Sequence, residues 1–370
     1  MQILPQISSK GQENVLLLHM IKKIILGILA LILIPILAFG ALVAYLSITD
    51  YKPEQIEIVE IHKGSKLASS DSLDLISWNI GYAGLGKEMD FFMDNGTGGW
   101  PSKTQVEGYL SGAADFISSS NADVYFLQEV DKKAKRSYGL DEVSAIAAVM
   151  PDYDWVFAKN YDVRFVPVPI SAPMGGVLAG QMNLSKYKFV EPAERHALPG
   201  QYDFLTQLAQ LDRAALLTRV KASDGKDWVL INTHNSAFDK GELRTQQLEY
   251  LKNLMVQEYA KGNYVIVGGD WNLALPGVTY DQFPAKGKAY DGFLEFPTDW
   301  TPSGWQWAVD PNTPTNRTVS QPYIEGDNYT TVIDGFVVSP NLEIVSVQGV
   351  DLGFKDADHN PVRLKVQLRK

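Results

Sequence analysis

The chain has 370 residues, 45% of them hydrophobic, which is room for one large globular domain or two modest ones. A net charge of −10 excludes a strongly basic surface over the whole chain for non-specific nucleic-acid binding, leaving only a local basic patch open. Cysteine is absent, so disulfides, thiolate metal sites and a cysteine nucleophile are excluded, and the chain is compatible with either side of a membrane.

From Ile24 to Ile48 no residue carries a charge, and roughly 20 apolar residues suffice to cross a bilayer as a helix. Pro35 within the run is tolerable in a membrane helix. Lys22 and Lys23 precede the run, whereas Asp50 and Glu54 follow it. The positive-inside rule therefore predicts residues 1–23 in the cytoplasm, a single-pass helix over 24–48, and everything beyond outside. A cleaved signal peptide is the competing reading, but its apolar core runs to only about 7 to 15 residues, which favours a retained anchor. Met20 is an alternative start. Residues 49–70 read as a stalk, with an edge strand in the alternating stretch Gln55 to Ile61.

The remainder, 71–370, reads as one domain. Leu73–Ile80 is a predicted strand ending at Asn79, and Gly84–Trp100 is a loop. Val106, Leu110, Ala113 and Ile117 recur at helical spacing. Asp123–Val130 is a strand delivering Glu129. A short helix around Leu140–Met150 leads to the strand Trp155–Lys159, and Arg164–Pro173 carries three prolines, which suits an irregular edge or loop. Strands follow at Val177–Leu184, Ala214–Val220 and Trp228–Asn235, the last bearing His234. Leu243, Leu248, Leu251 and Met255 mark an amphipathic helix.

Tyr264–Asn272, YVIVGGDWN, is a buried strand whose glycines end it in a tight turn presenting Asp270 and Asn272. A long aromatic excursion to about Asp327 separates it from strands at Val332–Val338, Glu343–Gln348 and Val362–Leu368, with Asp358-His359 in the loop before the last. Strands outnumber helices, and strand-helix-strand order gives way to consecutive strands. That pattern predicts a four-layer α/β sandwich, two mixed sheets face to face with helices outside, preceded by the transmembrane helix.

Asn79, Glu129, His234, Asp270, Asn272, Asp334, Asp358 and His359 all fall at or just past strand ends. Turn chemistry alone puts polar residues there. This set, however, covers what metal-assisted phosphoester hydrolysis needs: carboxylates for a hard cation such as Mg²⁺, a group to hold or deprotonate water, and histidines for charge and proton steps.

The motifs WNIG (Asn79), LQEVD (Glu129), NTHN (His234), GGDWN (Asp270, Asn272), VIDGF (Asp334) and ADHNPV (Asp358, His359) together resemble the endonuclease/exonuclease/phosphatase superfamily, the DNase I-like fold, in the family order over residues 74 to 366. The resemblance implies Glu129 as principal metal ligand, with Asn79 and Asp358 near the metal. It implies Asp270 as the residue that positions or deprotonates water, Asn272 as a phosphate donor, and His359 as the phosphate-contacting histidine steered by Asp334. It implies Mg²⁺ as cofactor, with Mn²⁺ or Ca²⁺ as alternatives. LDRAALL with Arg213, and TPTNR with Pro314 and Arg317, resemble less specific family segments; Arg213 is a candidate substrate-binding cation or a strand-surface charge. A histidine at position 234 resembles nucleases of the DNase I kind, sphingomyelinases and inositol-phosphate phosphatases, and disfavours abasic-site DNA repair. Gly335-Phe336 after Asp334 and Asn235 after His234 depart from the common pattern without removing a proton-transfer or metal group.

Lys132, Lys133, Lys135 and Arg136 read as a solvated charged loop, with a substrate-phosphate patch as the alternative. The aromatic stretch Phe293–Trp307 reads as loop packing rather than a lipid or sugar platform. His19, His62 and His196 lie outside every motif. The expectation is a membrane-tethered, extracytoplasmic phosphodiesterase-type hydrolase acting on a lipid headgroup, nucleic acid or small phosphodiester, with no protein partner indicated. An extracytoplasmic nuclease is the alternative. An inactive binding module would require broken catalytic positions, and none is broken.

Overall fold

A computed structural model describes residues 9–200, 202–237, 239–290 and 292–369. The chain divides into two units, Met1–Asp50 and Tyr51–Lys370. Among its described residues the first holds one helix, α1 (Ser9–Thr49), which contains Pro35. Among the described residues it is the one helix long and apolar enough to cross a membrane.

Among the described residues the second unit contains sixteen strands. In chain order they are β1 (Ile56–Val59), β2 (Ile61–His62), β3 (Ser72–Asn79), β4 (Val124–Ala134), β5 (Asp154–Val166), β6 (Gly175–Ser185), β7 (Ala193–Ala197) and β8 (Ala214–Lys221). There follow β9 (Asp227–His234), β10 (Tyr264–Asp270), β11 (Gln306–Ala308), β12 (Asn316–Arg317), β13 (Thr330–Thr331), β14 (Asp334–Val338), β15 (Leu342–Gly349) and β16 (Val362–Leu368). The helices are α2 (Lys103–Ser120), α3 (Glu142–Val149), α4 (Phe204–Gln207) and α5 (Glu242–Ala260).

Two seven-stranded sheets form, in the orders β1-β7-β8-β9-β10-β14-β11 and β15-β16-β3-β4-β6-β5-β2. Each contains one parallel pair, β9 with β10 and β3 with β4, and every other pair is antiparallel. A parallel pair needs a crossover, and here α5 and α2 supply them. Because the paired strands run the same way, their carboxyl ends come out together, which brings Asn79 level with Gln128 and His234 level with Asp270.

The space between the sheets is filled from both sides, by Leu75, Phe126 and Leu364 of one and Leu230, Ile266 and Phe336 of the other. On the outside, Leu248, Leu251 and Met255 of α5 cover one sheet, while Ala113 and Ile117 of α2 and Val143 and Ile146 of α3 cover the other. This is the expected four-layer sandwich. Helix α2 starts where its sequence says it should: Ser102 and Gln105 form a reciprocal capping box. Among the described residues, Val106, Ala113 and Ile117 give it a buried stripe.

Local expectations fail in several places. The stretch Gln55–Ile61 is not one strand, since β1 joins the edge of one sheet at β7 and β2 the edge of the other at β5. The polar run behind it is held too: Lys63 donates to the Phe189 carbonyl at 2.8 Å, and Leu67 bridges to Tyr187. Sheet structure thus begins within the segment read as a stalk. Strand β5 continues through Val166 into the segment expected to be irregular. Nor is Arg136 solvated. It is buried, donates to both carboxylate oxygens of Asp131 at 3.1 and 2.8 Å, and lies 3.7 Å from the Tyr82 ring. Burial of that guanidinium is tolerable because its donors face a carboxylate and its plane an aromatic face. In the long excursion, Trp300 and Trp307 pack with Trp271 and Phe296 on the α5 side of the sheet, which is loop packing as expected.

Candidate active site

The eight motif residues converge at the carboxyl ends of the two parallel pairs. His234, Asp270 and Asp334 sit in one row across a sheet, with Asp270 opposite His234 on one side and Asp334 on the other. Close approach of β10 to β9 depends on Gly269, whose φ is +143° and where a Cβ would lie 2.0 Å from the Thr233 carbonyl oxygen. No side chain fits there.

From the opposite sheet, Asn79 donates to Asp270 Oδ2 at 3.0 Å and to Glu129 Oε1 at 3.3 Å. Its own Oδ1 accepts from the Gly81 amide at 3.0 Å, which holds the side chain turned toward the carboxylates. Glu129 reaches the site through an irregularity. The β4–β6 register breaks between Leu127 and Val130, and Glu129 adopts φ 53°, a left-handed conformation costly for a residue with a Cβ.

Asp270 ends β10, and Asn272 sits in the turn after it. Asp270 Oδ1 accepts from the Asn272 amide at 2.9 Å, closing an Asx turn. Asn272, with φ 52°, donates Nδ2 to the Asn235 carbonyl at 2.9 Å. That leaves its second amide N–H. Beneath the turn, buried Arg244 donates to the Asn272 and Gly292 carbonyls, each at 2.8 Å, and to Asp239.

Asp358 and His359 are placed by backbone pairing. Arg317 N donates to the Asp358 carbonyl at 3.1 Å and Asn360 N to the Thr315 carbonyl at 2.8 Å. His359 Nδ1 lies 2.8 Å from Asp334 Oδ2, and its Nε2 lies 3.0 Å from Asn316 Nδ2 and 3.7 Å from Asp270 Oδ2.

Burial opposes a charge on His359, but Asp334, Asp270 and Asp358 together outweigh it and raise its pKa to about 10. Asp270 is pushed up to about 6 by burial, with Asp334 adding to the rise and His359 opposing it. Asp358 is raised to about 7, again by burial first, with Glu129 adding like-charge repulsion. His234 goes the other way: burial, then Arg213 and His359, drive its pKa well down. Its Nε2 is 3.4 Å from Asp270 and 3.8 Å from Glu129. These are approaches of a neutral imidazole rather than ion pairs.

Arg213 lies just before β8 and lines the same cavity as Glu129, Asp270 and His359. Among the described residues nothing accepts a hydrogen bond from its buried Nη1, so it remains available to an anion.

A crowd of buried carboxylates with raised pKa values calls for a cation. Asp358 Oδ1 and Asp334 Oδ1 have no hydrogen-bond partner among the described residues. Ligand atoms of Asp270, Asp334 and His359 lie within 4.8 Å of one another, close enough to hold an ion. A ligating histidine must offer a lone pair, however, and His359, held protonated beside Asp334, carries a proton on both ring nitrogens. Oxygen donors of Glu129 and Asp358 suit a hard divalent ion better, whereas Asn79 turns its Nδ2 toward Glu129 and its oxygen toward the Gly81 amide.

The sequence matches the endonuclease/exonuclease/phosphatase family over residues 76–354. The chain belongs to that family. Among solved structures it is similar to an endonuclease/exonuclease/phosphatase from Beutenbergia cavernae DSM 12333, at 17% identity and a TM-score of 0.53, covering 80% of this chain and 72% of the other. It is also similar to the human Nocturnin catalytic domain with bound sulfate anion, at 15% identity and a TM-score of 0.52, covering 84% and 97%. For TDP2 from C. elegans the figures are 15% identity, a TM-score of 0.51, and coverage of 82% and 77%. At such identities the likeness is one of fold. No curated protein matches.

Sequence reasoning missed Asn316, Thr315 and Arg244. Asn316 lies inside TPTNR, a segment singled out for its neighbours. Thr315 Oγ1 accepts from the Ile333 and Asp334 amides, each at 3.1 Å, joining that segment to β14. Arg244 gave no signal, being one charge on an amphipathic helix.

Proposed function

We propose that this family member is a divalent-metal-dependent phosphoester hydrolase of the phosphodiesterase type, anchored by α1 with its catalytic domain outside the cytoplasm. The observation that carries the reading is Asp270, a buried carboxylate titrating at about 6, 3.7 Å from a histidine held protonated. A general base works best when its pKa lies near the working pH.

Glu129 and Asp358 would hold Mg²⁺, or Mn²⁺ or Ca²⁺, with Asn79 bonded to Glu129. Such an ion supplies a Lewis acid for the phosphate and acidifies bound water. The remaining roles fall to the chain's own groups. Asp270 takes a proton from the attacking water, whose oxygen forms the new bond to phosphorus. The ester P–O bond breaks, and the leaving oxygen takes its proton from solvent. His359 keeps positive charge against the phosphate oxygens as negative charge builds there, and Asp334 fixes its tautomer. Asn272 offers its second N–H, Arg213 its guanidinium, and neutral His234 a donor that adds no charge.

Anchoring is supported by the uncharged run ending at Ile48 and by Lys22 and Lys23 before it. Protease added outside intact cells should degrade the catalytic unit. Protection until the cells are broken would reverse the assigned orientation.

The activity test takes the full chain with Mg²⁺, Mn²⁺ or Ca²⁺ against bis-p-nitrophenyl phosphate, p-nitrophenyl phosphate, plasmid DNA and phospholipid vesicles, beside Asp270→Ala and His359→Ala. Metal-dependent turnover lost in both variants is expected. Turnover that survives either substitution would overturn the assigned roles.

A further inference from the structure

The carboxylates and histidines occupy only the floor of a cavity of about 540 Å³. Its wall is largely apolar, and three segments supply the aliphatic part. Met93 stands in the loop after β3, Val166 and Val168 at the end of β5, and Leu205 and Leu211 on and after α4. These segments are packed, not dangling. Leu211 and Phe92 lie against Val166 and Met174. Tyr161 Oη donates to the Ala209 carbonyl at 3.0 Å, and Trp100 Nε1 to the Ala172 carbonyl at 2.7 Å.

Leu205 of this wall is 52% exposed, and close in the chain to it and to Val168 stand Phe204 and Ile170, 61% and 90% exposed. Exposed apolar side chains gathered around a polar floor mark a binding surface rather than chance.

The cations along the cavity are mostly committed. Arg136 is bound by Asp131. Arg317 donates Nη2 to the Leu85, Gly86 and Met89 carbonyls at 3.1, 2.9 and 3.3 Å. Arg213 keeps its buried Nη1 and Arg317 its buried Nε without a partner among the described residues. Two isolated N–H groups serve a single phosphate. Tracking a nucleic-acid backbone needs a row of cations, and reading its bases needs open aromatic faces. Here Phe91 and Phe92 pack edge to face on each other, and Arg136 covers Tyr82.

We propose that the substrate is a phosphoester lipid, whose phosphate reaches the Asp270–His359 floor while its apolar part lies along the wall formed by Val168, Leu205 and Leu211. The inference rests on the hydrolase reading and adds the substrate class.

The test holds the full chain in amphipol with Mg²⁺ and compares methyl p-nitrophenyl phosphate with butyl p-nitrophenyl phosphate, following released p-nitrophenolate. Burial of the longer chain should raise kcat/KM for the butyl ester by about tenfold or more. Leu205→Asp and Val168→Asp should bring the butyl-to-methyl ratio toward one, whereas general damage to the fold would lower both rates and leave the ratio. A wild-type ratio near one, with both esters turned over, overturns the lipid inference and leaves the hydrolase standing. Plasmid DNA cleaved faster than either ester, with a steep loss on adding NaCl, also overturns it, in favour of nucleic acid. Inertness toward all of these in Mg²⁺, Mn²⁺ and Ca²⁺ overturns the hydrolase reading, and the lipid inference falls with it.

Discussion

His359 is tied to both sheets at once: its Nδ1 lies 2.8 Å from Asp334 Oδ2 at the start of β14, while its backbone carbonyl accepts from Trp78 Nε1 of β3 at 2.9 Å. The loop carrying it therefore cannot turn the ring away from Asp270 without breaking a buried bond. Asp334→Asn should lower kcat/KM by roughly 10²-fold or more. Removing that charge also removes the largest influence raising the His359 pKa, so activity should begin to fall at lower pH than in the wild type. An alkaline limb left in place near pH 10 would show that Asp334 does not set it.

The acid limb belongs to Asp270. Activity should climb as pH rises through about 6, where this carboxylate loses its proton. The hydrogen bond from Asn79 lowers that pKa, so Asn79→Ala should move the limb to higher pH. A profile of kcat/KM against pH for the two proteins measures the displacement, and a shift to lower pH would contradict the assignment.

Asp358 links stability to metal. Its folded pKa is about 7, above the ordinary carboxylate value, because it is buried and repelled by Glu129. A raised carboxylate pKa gives stability that is fully present below the unfolded value and lost as pH rises through the folded one. Without metal, Tm should thus fall between about pH 4 and 7, and Asp358→Asn should remove much of that fall. Mg²⁺ at 100 times its Kd should add about 2.7 kcal/mol to the wild type and far less to Asp358→Asn or Glu129→Gln, as read by thermal unfolding.

Arg244 supports the Asp270–Asn272 turn from below. Arg244→Met leaves Asp239 Oδ1 and the Asp239, Asn272 and Gly292 carbonyls without their donor and should cost about 3 to 5 kcal/mol in urea unfolding. In the fraction that stays folded, KM should rise as Asn272 loses its fixed position.

Much of this site was legible because its residues sit where apolar strands stop, and strand ends announce themselves in sequence. Asp270 follows a continuous apolar run, and Glu129 follows another. The two βαβ crossovers could be read from strand-helix-strand order, which placed those ends together. What sequence could not give was partnership. Asn316 touches His359 only because the segment around it pairs with the 358–360 loop, a contact between stretches about forty residues apart. Arg136 looked like one of four solvated charges until its guanidinium met Asp131 and Tyr82. The segment before residue 71 looked like a stalk because its strands are short and lie on sheet edges, where one face is always wet.

Glu129 and Asn272 both occupy left-handed backbone. Asparagine accepts that geometry readily, whereas glutamate pays about 1 to 2 kcal/mol for it. A glycine would sit at 129 without strain, and a lineage released from the need for activity should drift toward it early. Relatives with glycine at this place and an intact Asp334–His359 pair would then be the ones to suspect of having kept the scaffold and abandoned the chemistry.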